Sequence, residues 1–300
     1  LGVDRFSASN NLNRVVRFSC LALLLLLCNA SASAASVQKI GPDLYAYISE
    51  NDASSNSTFL VSDKGILVVD TGLNAQEGRK LLDEIRKVST APVRWIVNTH
   101  YHPDHRGGNS VVGPDAVVIS TAFTRTQAGS SAPGYALNET PGREGLQLYV
   151  GSHEVQIYNP GPAHTMGDLI VYFPEQHAIA TGDLFLTNSC PAMDKGSLEN
   201  WIAALNQILF MPVEHVVPGH FALATKKELG TFRDYLAQLR KQVARMYRNG
   251  ATLDEVKKGV AALDFPPLRQ FPQYEATFAD NAAAYYHQLE SGGAPRRAVQ

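Results

Sequence analysis

From residue 37 onward, short apolar runs separated by turn-forming residues dominate the chain. "LYAYIS" (44–49) alternates apolar and polar positions, which predicts a strand buried on one face. "TFLVS" (58–62), "GILVVD" (65–70) and "VRWIVN" (93–98) also read as strands, and the unbroken "ILVV" predicts burial on both faces. Between them, "NAQEGRKLLDEIRKVS" changes to helical spacing, with Leu81, Leu82 and Ile85 on one side. "AVVIS" (116–120) predicts a strand. Residues 124–145 are polar and rich in Gly, Ser and Pro, and read as a long loop or broken helix bordering a binding site. "LQLYV", "HEVQIYN", "DLIVYF" and "HAIATG" then predict strands in close succession. "SLENWIAALNQIL" (197–209) predicts a helix and "HVVPGH" (215–220) a last buried strand.

The tail reads differently. Thr225 and Glu228 form a capping box, and Leu229, Phe232, Leu236, Leu239, Val243 and Met246 recur at three- and four-residue spacing. Asn249-Gly250 closes that helix and "TLDE" (252–255) opens another. Strands, a helix, strands and helices again predict an α/β domain with sheets inside and helices outside. The expected organisation is a leader at 1–35, the main domain at 36–221, and a helical layer at 222–300 packed on the same domain.

The leader changes the picture of location. Arg14 and Arg17 precede the apolar run "FSCLALLLLLCNA", followed by "SASAAS" with Ala-x-Ala cleavage options, as in a secretory signal peptide. The expectation is therefore a periplasmic or secreted protein with no stable membrane anchor after cleavage. Two of the three cysteines, Cys20 and Cys28, fall in the leader, which leaves Cys190 unable to form an internal disulfide. Residues 1–35 hold three Arg and one Asp, a net +2, so the full-chain charge of −2 becomes −4 without them. Such a balance gives no electrostatic case for nucleic acid or an anionic membrane. A small-molecule substrate is the expected partner.

The chemistry concentrates in "NTHYHPDHRGGN" (98–109), which holds three of the nine histidines. On extended backbone His100 and His102 project to one side, and Asp104 and His105 follow Pro103, which interrupts a strand ladder. Imidazole and carboxylate suit zinc, iron or manganese. One such segment is half a site for two metals. Further donors stand where other predicted strands stop or turn: His164 in "GPAHTMGD", Asp183 in "AIATGD" and His220 in "HVVPGH". Each alone reads as a structural residue, and only their joint order with the cluster points to metal. His153, His177, His215 and His287 lack such partners and read as surface or strand residues. Cys190 reads as a loop thiol, Trp201 as core, and Gly107 and Gly108 as allowing a tight turn after the ligands.

These motifs resemble the metallo-β-lactamase superfamily. The H-x-H-x-D-H pattern is met by His100, His102, Asp104 and His105, the later His, Asp and His by His164, Asp183 and His220, and an early aspartate motif by Asp70 in "ILVVDTG". The resemblance runs from about residue 37 to 220. It implies a four-layer αββα sandwich with two Zn2+ per chain, Fe or Mn being alternatives. By that pattern His100, His102 and His164 hold one metal, Asp104, His105 and His220 the other, and Asp183 bridges them. Asp70 orients a ligand from behind. Two metals would acidify a bridging water into a hydroxide that attacks an ester, thioester, lactone or amide carbonyl. Asp104 is the implied catalytic residue, orienting the hydroxide and passing on its proton.

One departure narrows the kinship. Family members with a cysteine in the second metal site would carry it where Asp183 stands, and Cys190 lies seven residues later. Asp183 is similar to the ligand of the glyoxalase II, lactonase and general hydrolase branches. β-Lactamase activity is one alternative. A mononuclear iron, persulfide-dioxygenase-like oxidoreductase is another, although it would not require Asp104, His105 and His220 together.

Overall fold

Strand β4 (Gly65–Val69) is buried at every position, because its neighbours cover both of its faces and both of its edges. The computed structural model describes residues 35–129, 134–137, 145–187, 189–261 and 274–294. The leader lies outside the described residues apart from Ala35. Among those residues, the first sheet runs in sequence order through β1 (Ser36–Gly41), β2 (Leu44–Ile48), β3 (Ser57–Ser62), β4, β5 (Val93–Val97), β6 (Val117–Thr121) and β7 (Gly134–Leu137). Pairing is antiparallel up to β4 and parallel from β4 to β7. The second sheet contains β8 (Gly145–Val150), β9 (His153–Tyr158), β10 (Ile170–Phe173), β11 (Ala178–Ala180) and β12 (His215–Val217), in the order β12-β11-β10-β9-β8.

The two sheets share an apolar interior. Leu60, Leu67 and Val97 from the first join Ile157, Val171 and Val217 from the second in one buried cluster. Alternation then sends the other side chains of each sheet outward, to helices. On the first sheet, Phe59, Ile66 and Val68 pack under Leu81 and Ile85 of α1 (Ala75–Val88), whose first turn is capped by Asn74. On the second, Ile170, Ile179 and Val216 pack under α5 (Leu198–Phe210), α6 (Lys226–Arg248), α7 (Leu253–Ala261) and α8 (Tyr274–Ser291). The architecture is the αββα sandwich, with a helical C-terminus.

The predicted capping box of α6 is present, with Thr225 N donating to Glu228 Oε2 at 3.0 Å. Three details depart from expectation. Strand β1 has too polar a sequence, SVQKIG, to stand out as one, yet it forms the sheet edge where Gln38 and Lys39 face solvent. Segment 124–145 is more regular than a loop. Its start lies in α4 (Ala122–Gln127), capped by the Thr121 hydroxyl, and residues 134–137 form β7 beside β6. Residues 130–133 and 138–144, on which the expected substrate contact of this segment falls in part, lie outside the described residues.

The third departure concerns Gly107 and Gly108. Both have helical backbone angles, φ −63° and −88°, which any residue adopts. Their requirement is close approach instead. A Cβ at Gly107 would lie 1.9 Å from the Leu73 carbonyl oxygen, and one at Gly108 would lie 2.2 Å from that of Thr71. Glycine here lets the segment after α2 (Pro103–Arg106) lie directly against the β4–α1 connection, where Thr71 N donates to His105 O at 2.8 Å. Gly107→Ala should therefore destabilise the fold by at least about 1–3 kcal/mol through overpacking. Gly230→Ala, inside α6 with only Leu209 Cδ2 at 3.7 Å from the new methyl, should stabilise it by about 0.4–1 kcal/mol. Denaturant unfolding of both variants reads the contrast, and equal shifts would refute it.

Candidate metal centre

The apolar interior of each strand ends abruptly, and polar residues begin at the same end of the sandwich. β4 stops at Val69 and is followed by Asp70, in left-handed conformation at φ 56°. β5 stops at Val97 and is followed by the histidine segment. β11 leads to Asp183, β12 to His220, and the β9–β10 connection carries His164. Pro103 occupies the first turn of α2, where its missing N–H costs no helical bond.

All seven sequence-nominated donors converge. They form two groups, His100, His102, His164 and Asp183, and Asp104, His105, Asp183 and His220, each with its ligand atoms within 4.8 Å of one another. In the first group His102 Nδ1 lies 3.0 Å from His100 Nε2 and 3.4 Å from His164 Nε2, and Asp183 Oδ2 lies 3.7 Å from His164 Nε2. In the second, Asp104 Oδ2 lies 3.1 Å from His220 Nε2 and 3.5 Å from His105 Nε2. Asp183 Oδ1 lies 3.2 Å from His105 Nε2 and 3.6 Å from His220 Nε2. Asp183 thus turns one oxygen to each group.

The other nitrogen of four rings is held by an oxygen acceptor, which decides the tautomer. His105 Nδ1 donates to Asp70 Oδ2 at 2.7 Å, and Asp70 also accepts from Thr99 N at 2.8 Å and Thr99 Oγ1 at 2.7 Å. Because the Thr99 hydroxyl proton goes to Asp70, its oxygen is left to accept from His100 Nδ1 at 3.1 Å. His220 Nδ1 donates to Asp52 O at 3.0 Å, and His102 Nε2 to Asp194 Oδ2 at 3.1 Å. Asp194 also accepts from the Tyr101 hydroxyl. His164 packs at a tilt against Trp201, with centroids 5.8 Å apart and planes at 59°. The inward nitrogens therefore carry lone pairs that face one another.

For His100 and His164 electrostatics point the same way, whereas at His105 and His220 the carboxylates favour a proton that a metal ion would displace. Burial lowers His100 well below its usual range and His164 to about 4, so both are neutral near pH 7. Burial also acts to lower His105, but the Asp183 and Asp70 carboxylates outweigh it and raise it well above its usual range. Burial acts to raise Asp183, and His105 and His220 reverse this and hold it well below the carboxylate range. His105 Nε2 and Asp183 Oδ1 are buried without a hydrogen-bond partner. Facing lone pairs and unsatisfied buried polar atoms are costly unless a cation lies between them. Tetrahedral coordination with bonds of about 2.05 Å separates neighbouring donors by about 3.3 Å, close to the spacings found. The donors fit divalent metal ions.

Several supporting residues carried no sequence signal. Asp194 behind His102 lies in "PAMDKGSLENW" (191–201), a stretch with no ligand spacing to mark it. Residues 52–56 form a second brace. Ser55 N donates to Asp104 O at 3.1 Å, Asn56 N to Gly219 O at 2.7 Å, and Asn56 Nδ2 to Pro218 O and Phe221 O at 3.1 and 2.7 Å. His153, His177, His215 and His287 belong to neither donor group. His153 pairs with Glu175 at 2.8 Å, and His177 Nδ1 donates to Pro212 O at 3.0 Å. Cys190 is a loop residue but a buried one, and burial pushes its thiol up to about 12.

Comparison with known proteins places this centre. The profile described as "Metallo-beta-lactamase superfamily" matches residues 51–220. The chain is 27% identical over 197 residues, 61% of its length and 78% of the relative's, to a "Metallo-beta-lactamase type 2" of Elizabethkingia meningoseptica. It is 25% identical over 172 residues, 56% and 72% of the two chains, to "Metallo-beta-lactamase IND-1" of Chryseobacterium indologenes. Among solved structures, a metallo-beta-lactamase from Pontibacter korlensis superposes with a TM-score of 0.58 at 22% identity, covering 68% of this chain and 99% of that one. The DIM-1 metallo-beta-lactamase gives 0.57 at 18%, covering 68% and 97%. With the fold, the paired donor groups and the matched profile in agreement, the chain belongs to the metallo-beta-lactamase superfamily and is a metallo-hydrolase.

Proposed function

We propose that this protein is an exported hydrolase that holds two zinc ions and cleaves an ester, thioester, lactone or amide carbonyl in a small molecule. The observation that carries the reading is the division of the Asp183 carboxylate, one oxygen toward each donor group. On this reading His100, His102 and His164 hold the first ion, Asp104, His105 and His220 the second, and Asp183 both. When bound, such a pair of ions acidifies water and polarises a carbonyl.

The chain's own residues supply the rest. Asp70 orients His105, and Thr99 orients His100, so that Nε2 of each ring faces the centre. Asp104 is about a quarter exposed, unlike the enclosed His105. From that position its carboxylate accepts a proton from water in the centre and hands it to solvent or a leaving group. The neighbouring rings keep Asp104 in the ionised form this requires: burial acts to raise the carboxyl, but His220 and His105 beside it lower it. Export rests on Arg14 and Arg17 ahead of the apolar run and its Ala-x-Ala sites. It would place the protein in the periplasm or outside the cell.

A β-lactam amide lies within the proposed substrate class, and both curated relatives bear the name metallo-beta-lactamase. A screen of zinc-loaded protein against β-lactam, lactone, thioester and ester panels decides among them. Elemental analysis of protein purified from the exported fraction should give two zinc per chain, whereas one iron per chain would favour the dioxygenase alternative. Stripping the metal with a chelator should abolish turnover and lower the melting temperature, because an ion bound only by the folded state stabilises it. Asp104→Ala should reduce turnover by at least about 10²-fold, the usual scale of a lost proton-transfer group. Turnover that persists in metal-stripped Asp104→Ala protein would sink the mechanism. Asp70→Ala should weaken zinc binding by about 10–100-fold through loss of the acceptor behind His105, measured by competition with a chromophoric chelator.

A further inference from the structure

We infer that helix α8 positions the first donor group and leaves the second untouched, acting through Asn281 and Gln288 on the loop that braces His102 and His164. The inference rests on the reading above of His100, His102 and His164 as one metal site. Residues 190–197 have no regular structure, yet both histidines lean on them. Asp194 N donates to His164 O at 2.7 Å and Ser197 N to Ala163 O at 3.1 Å. A Cβ at Gly196 would lie 1.8 Å from the Ala163 carbonyl oxygen, so the two segments are in direct backbone contact. From the same loop the Asp194 carboxylate accepts from His102 Nε2 and from the Tyr101 hydroxyl.

The loop itself is held by α8. Asn281, only 1% exposed, accepts from Met193 N at 2.7 Å and donates to Pro191 O at 3.1 Å and Cys190 Sγ at 3.4 Å. Gln288 donates to Gly196 O at 2.7 Å. Seven residues are about two helical turns, so the two side chains share one face of α8 and grip the loop at both ends. The braces of Asp104 and His220 run to residues 52–56 instead. Ligand histidines bind metal less well when the acceptor behind them is displaced. Asn281 and Gln288 are positioning residues, remote from substrate, that set the affinity of one group.

Zinc competition with a chromophoric chelator tests this on the full chain in two backgrounds. His220→Ala disables the second group and reads the first; His164→Ala does the reverse. Asn281→Ala should weaken zinc binding about 10-fold in the His220→Ala background, and leave it unchanged in the His164→Ala background. Adding Asp194→Ala to Asn281→Ala should give no further loss beyond Asp194→Ala alone. Equal weakening in both backgrounds, no weakening in either, or additive losses would overturn the inference. If Asn281→Ala does not fold, as judged by circular dichroism, Gln288→Ala on the half-buried end of the same grip reads the same effect. A wild-type chain that takes up a single zinc would defeat the binuclear reading while leaving this one standing, because the His220→Ala background measures the first group by itself.

Discussion

A nearly buried carboxylate among three imidazoles is the constraint on which the rest of the centre depends. Asp183 is 8% exposed, with Oδ1 toward His105 and His220 and Oδ2 toward His164. Neither of the glycines next to it can carry a side chain. A Cβ at Gly219 would lie 2.0 Å from Asp183 Oδ1, and one at Gly182, at φ 51°, would lie 2.4 Å from Thr99 Oγ1. The carboxylate thus fixes Gly219, while Thr99, which packs against Gly182, is hydrogen-bonded to Asp70 and His100. A buried polar network that is only partly satisfied costs more than an apolar core would. The unpartnered His105 Nε2 and Asp183 Oδ1 are where bound cations complete it.

The sandwich delivers these groups by ending its strands at one edge. That much was legible in the sequence. The run Ile66–Val69 stops at Asp70, and Val216–Val217 is followed three residues later by His220, so apolar periodicity marked where polar side chains would emerge. Helix caps at Thr225 and Asn74 were equally local, and Thr225 could be read from four residues. The ligands were readable because their spacing is short in one segment and their order across the others is distinctive.

What escaped the sequence is contact between distant segments. Asn56 lies 162 and 165 positions from the carbonyls it binds at Pro218 and Phe221, and Asp194 lies 92 from His102. No periodicity or motif encodes such a pair, because an asparagine in "ASSNST" or an aspartate in "AMDKGS" has the composition of any turn. Gly107 and Gly108 were noticed for the wrong physical reason. Conformational freedom is the usual reading of paired glycines, whereas here the backbone of the β4–α1 connection occupies the space of a side chain. Segment 124–145, read as a loop or broken helix, does begin in a capped helix, but its Gly and Ser content hid the strand that follows.

The division of labour between the two braces follows from where they sit in the chain. All seven donors, Asp70, Asp194 and residues 52–56 fall within the stretch that matches the family profile, 51–220. Asn281 and Gln288 fall outside it, on a helix that shares the apolar cluster of α5 and the outer face of the second sheet. The donor chemistry and the brace of Asp104 and His220 are therefore internal to the matched stretch. The loop under His102 and His164 draws its hold from beyond that stretch. Because residues 190–197 make few regular backbone bonds of their own, their position is set by whatever grips them, and the contacts of α8 fill that role.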